Sequence, residues 1–421
     1  MSIYTLSLVL ILLISSPSDC LRKEETSNLQ RLSRAHLEFA LSLFRTVAGE
    51  TSAGDNVLLS PYSVASVLSQ LWLGSAPESG TFTQLENVLH YKDGGLGPEK
   101  VHAVFHSGLD TGDDPDFQSV VKQGNALFLQ DGIPIESSYR RDLRHFYNSS
   151  VEEVDFSRED ATLRINRWVS KRTGGFIPTL IESPLPASTK LVLVNALALK
   201  AFWKNSFDPT RTAASGIFHR GPNAKLEIPM MAGKFKVLLG ESDTLRCRLL
   251  ELPFRGKRLS MFIMLPDEDV SSSKSSSSRL SHLEENLTAQ NLKKLFASLR
   301  EEMVHIRMPR FSMEDTSRLT DTLMTLGLRD IFDPSHANFS RISASEEEKI
   351  SVSTLAHKVS LEITEKGAHA AAATATGIER FGEIGEFFEI NRPFVFFIWD
   401  YVSGALLFIG RVADPKPLAV P

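Results

Sequence analysis

The feature that most constrains this 421-residue chain is the spacing of its apolar runs. LVLVNALAL (191–199), LSMFIMLP (259–266) and FVFFIW (394–399) are each of strand length and lie far apart in the chain. Length alone suggests two or three domains, but no linker of sufficient length and no internal repeat divides these runs. They read as strands of one mixed core, and a composition of 42% hydrophobic and 23% charged residues can supply it.

Just upstream of the last apolar block stands a run of small residues, EKGAHAAAATAT (365–376). Two charges lead into Gly367, which opens backbone angles closed to other residues, and alanines follow up to Thr374. An alanine-rich helix is one reading, since alanine has the best helix propensity. Against it, Gly377, Gly382 and Gly385 break helical periodicity and Pro393 ends any helix nearby, so a long exposed segment fits better.

The first twenty residues, MSIYTLSLVLILLISSPSDC, carry an apolar stretch from Leu6 to Ile14 too short to span a bilayer. They read as a secretory signal cleaved near Cys20, which makes the expected product secreted, extracellular and without a membrane span. Only Cys20 and Cys247 exist, so a processed chain would hold one free thiol and no disulfide. Sequons at Asn148, Asn286 and Asn338 are glycosylation candidates on that route.

A net charge of -5 argues against nucleic acid as a partner. Arg140, Arg141, Arg144 and His145 can share one helix face, either solvated or meeting a sulfated polysaccharide. The serine tract 271–280 reads as a surface insertion between a strand ending near Pro266 and a helix beginning near Ser281. No hydrolase elbow, zinc-protease helix, paired C-x-x-C or phosphate loop is present, so neither an enzyme nor a metal site is expected.

A series of segments then resembles the serpin family in order and spacing, from about Leu37 to Pro415. These are NVLLSPYSV (56–64), VDF (154–156), INRWVSKRTGGFI (165–177), LVNALALKAFWKNSF (193–207), IPMM (228–231), LELPF (250–254), MPRF (308–311), LMTLGLRDIF (323–332), AHKVSLEITEKG (356–367), NRPFVFFI (391–398) and LLFIGRVADP (406–415). FALSLFRTVA and IFDPSHANFSRIS (331–343) are similar to the nexin and plasminogen-activator-inhibitor clade.

The resemblance implies a single-domain α+β fold of three β-sheets with eight or nine helices. Its division would be signal 1–20, lead-in 21–36, domain 37–415 and tail 416–421, with an exposed reactive loop at about 365–391. Function would be suicide inhibition of a serine protease: the loop is cut, inserts into the main sheet and carries the acyl-linked protease with it. The partner would be a protease in a covalent acyl complex, trypsin-like by preference, and the inhibitor a monomer without cofactor. The helix that binds heparin in some relatives would fall near 100–125, where DTGDDPD stands in place of a basic stripe.

By the same resemblance Glu365, Gly367, Ala368, Ala370, Ala371, Ala372, Ala373 and Thr374 form the hinge. Strand alternation places Ala368, Ala370, Ala372 and Thr374 on the buried side after insertion, and His369, Ala371, Ala373 and Ala375 on the other. Glu365 would pair with Arg310 near Trp203 at the top of the main sheet, and Ser60, Asn195 and His357 would form a polar cluster under its centre. The usual hinge-to-bond spacing from Gly367 gives Phe381–Gly382 as the reactive bond, and a loop one residue shorter, as in some relatives, gives Arg380–Phe381, which is preferred because the resembled clade mostly presents arginine. A non-inhibitory carrier, chaperone or hormone precursor is the alternative.

Overall fold

The computed structural model describes residues 17–108, 120–221, 223–268, 276–345, 349–368 and 385–420. Among them are nine helices: α1 (Pro17–Glu50), α2 (Pro61–Gly74), α3 (Gly80–Val88), α4 (Pro98–Gly108), α5 (Ser137–Tyr147), α6 (Ala161–Arg172), α7 (Ser276–Glu285), α8 (Ala289–Ala297) and α9 (Thr320–Thr325). The first begins before the expected signal junction at residue 20, and α7 begins five residues ahead of the start expected at Ser281.

Strands assemble into two hydrogen-bonded sheets. One runs in the order β16 (Lys416–Pro417), β10 (Phe311–Arg318), β11 (Val352–Thr364), β4 (Leu191–Leu199), β2 (Val121–Gln130), β3 (Val151–Val154), with β12 (Gly367–Ala368) added to the end of β11. The other runs β1 (Val57–Leu59), β15 (Ala405–Val412), β14 (Phe394–Asp400), β8 (Leu259–Pro266), β7 (Cys247–Pro253), β6 (Ala224–Ser242), β9 (Arg300–Pro309), β13 (Glu386–Glu389), with β5 (Ala213–Gly221) on β6. The sequence reading implied three sheets, and two of them are joined here by one long strand. The 19-residue β6 pairs with β5 at its start, with β9 from Met230 to Leu239 and with β7 at its end, so hydrogen bonding continues through both.

All three apolar runs that organised the sequence reading are central strands. Every residue of β4 is buried because both of its faces are covered. Val192, Val194, Ala196 and Ala198 pack with Ile165 and Val169 of α6, while Leu191 and Leu193 join the cluster that holds α2 and Leu197 and Leu199 join a third cluster. Helix α2 is buried at every position but Tyr62, as an all-round apolar helix must be. Its start is fixed locally: Pro61 occupies the first turn and the Ser60 hydroxyl accepts a hydrogen bond from the Ser63 amide.

Within the first sheet one seam is unlike the rest of its core. β11 and β4 run parallel, from Val352 opposite Leu191 to Leu361 opposite Leu199, although β10 on one side is antiparallel to β11 and β2 on the other is antiparallel to β4. Strands lying parallel and adjacent across this seam come from segments more than 150 residues apart.

Candidate functional site

The top of the seam is where the chain leaves β11. Thr364 pairs with Gly367 across a two-residue turn, Glu365–Lys366, and Ala368 then pairs with Ile363. Gly367 also bridges Phe202, just past the end of β4, in antiparallel sense. The start of β12 is therefore wedged between the ends of β11 and β4. Only glycine fits there: φ is +131°, and a Cβ would run into Ala201 O and come within 2.7 Å of Phe202 Cα and Trp203 N.

Around that wedge nearly every polar group is engaged. The Arg310 guanidinium donates to Glu365 Oε2 at 3.0 Å, and the Thr212 hydroxyl to Oε1 at 2.8 Å, with Glu365 only 3% exposed. Backbone amides of Trp203 and Phe207 donate to the carbonyls of Lys366 and Glu365, both at 2.8 Å. The Trp203 indole N–H donates to Thr364 O at 2.9 Å while its ring stacks on Phe254, 4.5 Å between centroids. Thr364 Oγ1 closes the turn on Gly367 O at 2.7 Å.

Halfway down the seam lies a different kind of cluster, fully buried and uncharged. His357 and Asn195 are directly paired in the parallel ladder, and His357 Nδ1 lies 2.5 Å from Asn195 Oδ1. The Ser60 backbone amide points at His357 Nε2 at 3.1 Å. An amide can only donate, so Nε2 is the acceptor and Nδ1 carries the proton given to Asn195. Burial holds the imidazole pKa down at about 3, which keeps it neutral. The Ser63 hydroxyl donates to Asn195 Oδ1 at 2.8 Å, and Asn195 Nδ2 to Asn125 Oδ1 at 3.2 Å.

Glu365, Arg310 and Trp203 thus meet at the top of the seam, and Ser60, Asn195 and His357 at its middle. Ala370, Ala371, Ala372, Ala373 and Thr374 of the hinge, and Arg380, Phe381 and Gly382 around the candidate bond, lie outside the described residues. The stretch read as a loop, 365–391, carries a strand close to each of its ends, β12 and β13. Sequence reasoning missed Ser63, Asn125 and Thr212. Ser63 carried a usable signal, since it stands three residues after a helix cap, but the other two contact the site only through long-range pairing.

The remaining candidates are spread over the surface. Asn148 caps α5 in the left-handed conformation and is exposed, as is Asn338. Asn286 is half-buried, and its amide nitrogen donates to His282 O at 2.8 Å, which ties down the atom a glycan would need. On α5, Arg140 pairs with Glu153, and Arg141, Arg144 and His145 line a shallow cavity of about 390 Å³. Among the described residues no helix is long and apolar enough to cross a membrane.

Comparison with known proteins closes the identification. A family model described as serpin (serine protease inhibitor) matches residues 34–415. Human leukocyte elastase inhibitor is 34% identical over 394 residues, covering 92% of this chain and 100% of that protein. Intracellular coagulation inhibitor 2 of Tachypleus tridentatus is 29% identical over 419 residues, 97% of this chain and 98% of its own length. Among solved structures, human thyroxine-binding globulin in complex with thyroxine superimposes with a TM-score of 0.83 at 26% identity, covering 92% of this chain and all of that one. Native protease nexin-1 with heparin does so at 0.79 and 27%, with the same coverage.

One expectation is overturned by these relatives. An extracellular, secreted protein was read from residues 1–20, yet one relative matched over nearly its whole length is named as intracellular, and the human relative is matched completely by 92% of this chain. What a short apolar leader suggests is outweighed by the company the whole domain keeps. With the sheet order, the buried seam and the family match in agreement, the chain belongs to the serpin family of serine protease inhibitors.

Proposed function

We propose that this chain is a suicide-type inhibitor of serine endopeptidases, which traps the acyl-enzyme by drawing the cut segment after Gly367 into the seam between β4 and β11. The observation that carries this reading is the wedge at the top. β12 is already antiparallel to both flanking segments, with Ala368 opposite Ile363 and Gly367 opposite Phe202. Continued in that register, Ala370 falls between Leu361 and Leu199, Ala372 between Val359 and Leu197, and Thr374 between His357 and Asn195. Each core-facing side chain of β11 and β4 met on this path is buried, and each incoming one is small.

The register also supplies a driving force. One parallel ladder between β4 and β11 is replaced by two antiparallel ladders, and antiparallel pairing is the slightly more stable kind per residue. Thr374 would bring a hydroxyl, able both to donate and to accept, between His357 and Asn195 as they part. Neither buried group is then left unpaired.

For the cut itself we favour Arg380–Phe381 and a trypsin-like target, which needs a loop one residue shorter than the usual hinge-to-bond count from Gly367; the usual count gives Phe381–Gly382 and a chymotrypsin-like target as the close second. The relatives at 34% identity favour leukocyte elastase inhibitors over the nexin clade expected from FALSLFRTVA, which adds elastase to the panel of targets. Incubation with trypsin, chymotrypsin and leukocyte elastase should give a complex that survives SDS, and mass spectrometry of the released peptide identifies the bond. If every protease only cleaves and turns over, the reading passes to the non-inhibitory alternative, for which the likeness to a thyroxine-binding protein is the specific support.

A further inference from the structure

Phe387 is the most exposed large apolar side chain among the described residues, at 69%, while its neighbour Phe388 is fully buried. Its ring stacks on His305 of β9, 4.9 Å between centroids and 17° between planes. The two residues are directly paired between β13 and β9, and Met303, 38% exposed, lies two positions along on the same face of β9. Two cross-strand ion pairs frame the patch, Lys236 with Glu301 at 2.8 Å and Arg307 with Glu389 at 3.0 Å. The result is an apolar centre with a polar rim, the anatomy of a contact surface.

Nothing about this patch is loose. It stands on paired strands, Arg248 donates to Phe387 O at 3.1 Å, and its guanidinium lies 5.0 Å over the Phe388 ring. Gly385 lets the chain reach β13 pressed against the sheet: a Cβ there would stand 3.0 Å from the His305 ring and 3.1 Å from Met303 O.

We propose that Phe387, His305 and Met303 form a second contact surface for the attacking protease, gripping an apolar rim on the side of its cleft that takes the residues after the cut. This rests on the inhibitory reading above. Chain length fixes the geometry. Gly382 and Phe387 are five residues apart, so the later of the two candidate bonds lies at most about 17 Å along the chain from the patch, and the earlier one about one residue further. A protease domain of roughly 230 residues has a radius of gyration of about 17 Å, and its body extends beyond that, so an enzyme engaged at either bond overhangs the patch. An exposed aromatic ring under that footprint is the kind of anchor that dominates association.

The surface acts only before the acyl half departs. β13 follows the cut and stays on the sheet, whereas the acylated segment precedes it, so the patch governs how fast the protease attacks and not how the acyl-enzyme partitions. Trypsin, chymotrypsin and leukocyte elastase serve as probes against the full chain, the rate of loop attack being read separately from the fraction ending as SDS-stable complex. Phe387→Ala should slow attack about tenfold for at least one of them at an unchanged complex fraction, Met303→Ala should slow it less, and Phe387→Tyr should keep the wild-type rate. Leu163→Ala, at another exposed apolar position on α6, is the control expected to change nothing. Equal attack rates for wild type and Phe387→Ala with all three enzymes would overturn the patch, whatever the partition. A complex fraction of zero in wild type would instead overturn the inhibitory reading while the attack rates still report on the patch.

Discussion

The top and the middle of the β4–β11 seam are closed by opposite means. At the top, a charged pair and a turn hold the ends of the strands apart around Gly367, and the wedge has already begun. At the middle, a neutral network of His357, Asn195, Ser60 and Ser63 spans strands still in direct parallel contact. The contrast teaches a sequence of events. Insertion starts where the sheet is already open and must work toward a centre whose polar groups tolerate no gap, because an unpaired buried donor or acceptor costs about 1–3 kcal/mol.

The sharpest way to break that comparison is to change which face of the incoming strand carries bulk. Ala372 would arrive between Val359 and Leu197, both fully buried, so Ala372→Arg places an unpaired charge in the core at a cost of several kcal/mol. Ala371 would arrive between Ser360 and Ala198, which line an outer cavity of about 360 Å³ with Glu362 in its wall. Cleaved Ala372→Arg should melt where the intact protein does and form no stable protease complex, whereas cleaved Ala371→Arg should gain thermal stability as wild type does. Equal behaviour of the two variants would refute the register.

A charge deletion at the top is next in size. Arg310→Met leaves the Glu365 carboxylate buried without its cation, a change worth about 3–5 kcal/mol in the first unfolding transition in urea. Arg310→Met combined with Glu365→Met should recover most of the loss, because no lone charge remains. A double variant as unstable as the single one would show that the pair is not the fastening.

Much of this site is legible in the amino-acid sequence. Gly367 and the small residues after it announce a tight turn and a crowded destination, and MPRF and SPYSV mark the two clusters by their place in a known order. What cannot be read there is the partnering. Thr212 belongs to the Glu365 carboxylate and Asn125 to Asn195 only because β-strands far apart in sequence become neighbours. The length of β6 likewise hid the joining of two sheets, since alternation along a strand says nothing about where its partner changes. Arg411, set in the apolar block LLFIGRV, was an unread signal: it is 1% exposed and its guanidinium meets Glu284 of α7 at 3.2 Å.

Acid should act on the middle of the seam. The folded chain keeps His357 neutral down to about 3, while an unfolded chain protonates it near 6.5. Between those values the unfolded state holds the extra proton. Stability is therefore complete above about pH 6.5 and falls as the pH drops, by about 1.4 kcal/mol per unit for this group. Burial holds His36 and His102 near 3 as well, so their contributions carry the same sign. Urea midpoints between pH 7 and 5 should fall less steeply for His357→Gln than for wild type, and equal slopes would mean that the imidazole titrates alike in both states.

The smallest change tests whether the turn at the top is held by hydrogen bonds or by packing alone. Trp203→Phe keeps an aromatic ring over Phe254 but removes the donor to Thr364 O, a loss of about 1 kcal/mol with one buried carbonyl left unmet. Because the register keeps Thr364 opposite Gly367 before and after insertion, the intact and cleaved forms should both become slightly less stable, by about the same amount. The melting shift of each against wild type is the quantity to measure. If neither form shifts, the indole is only filling space, and the fastening at the top of the seam reduces to the Arg310–Glu365 pair.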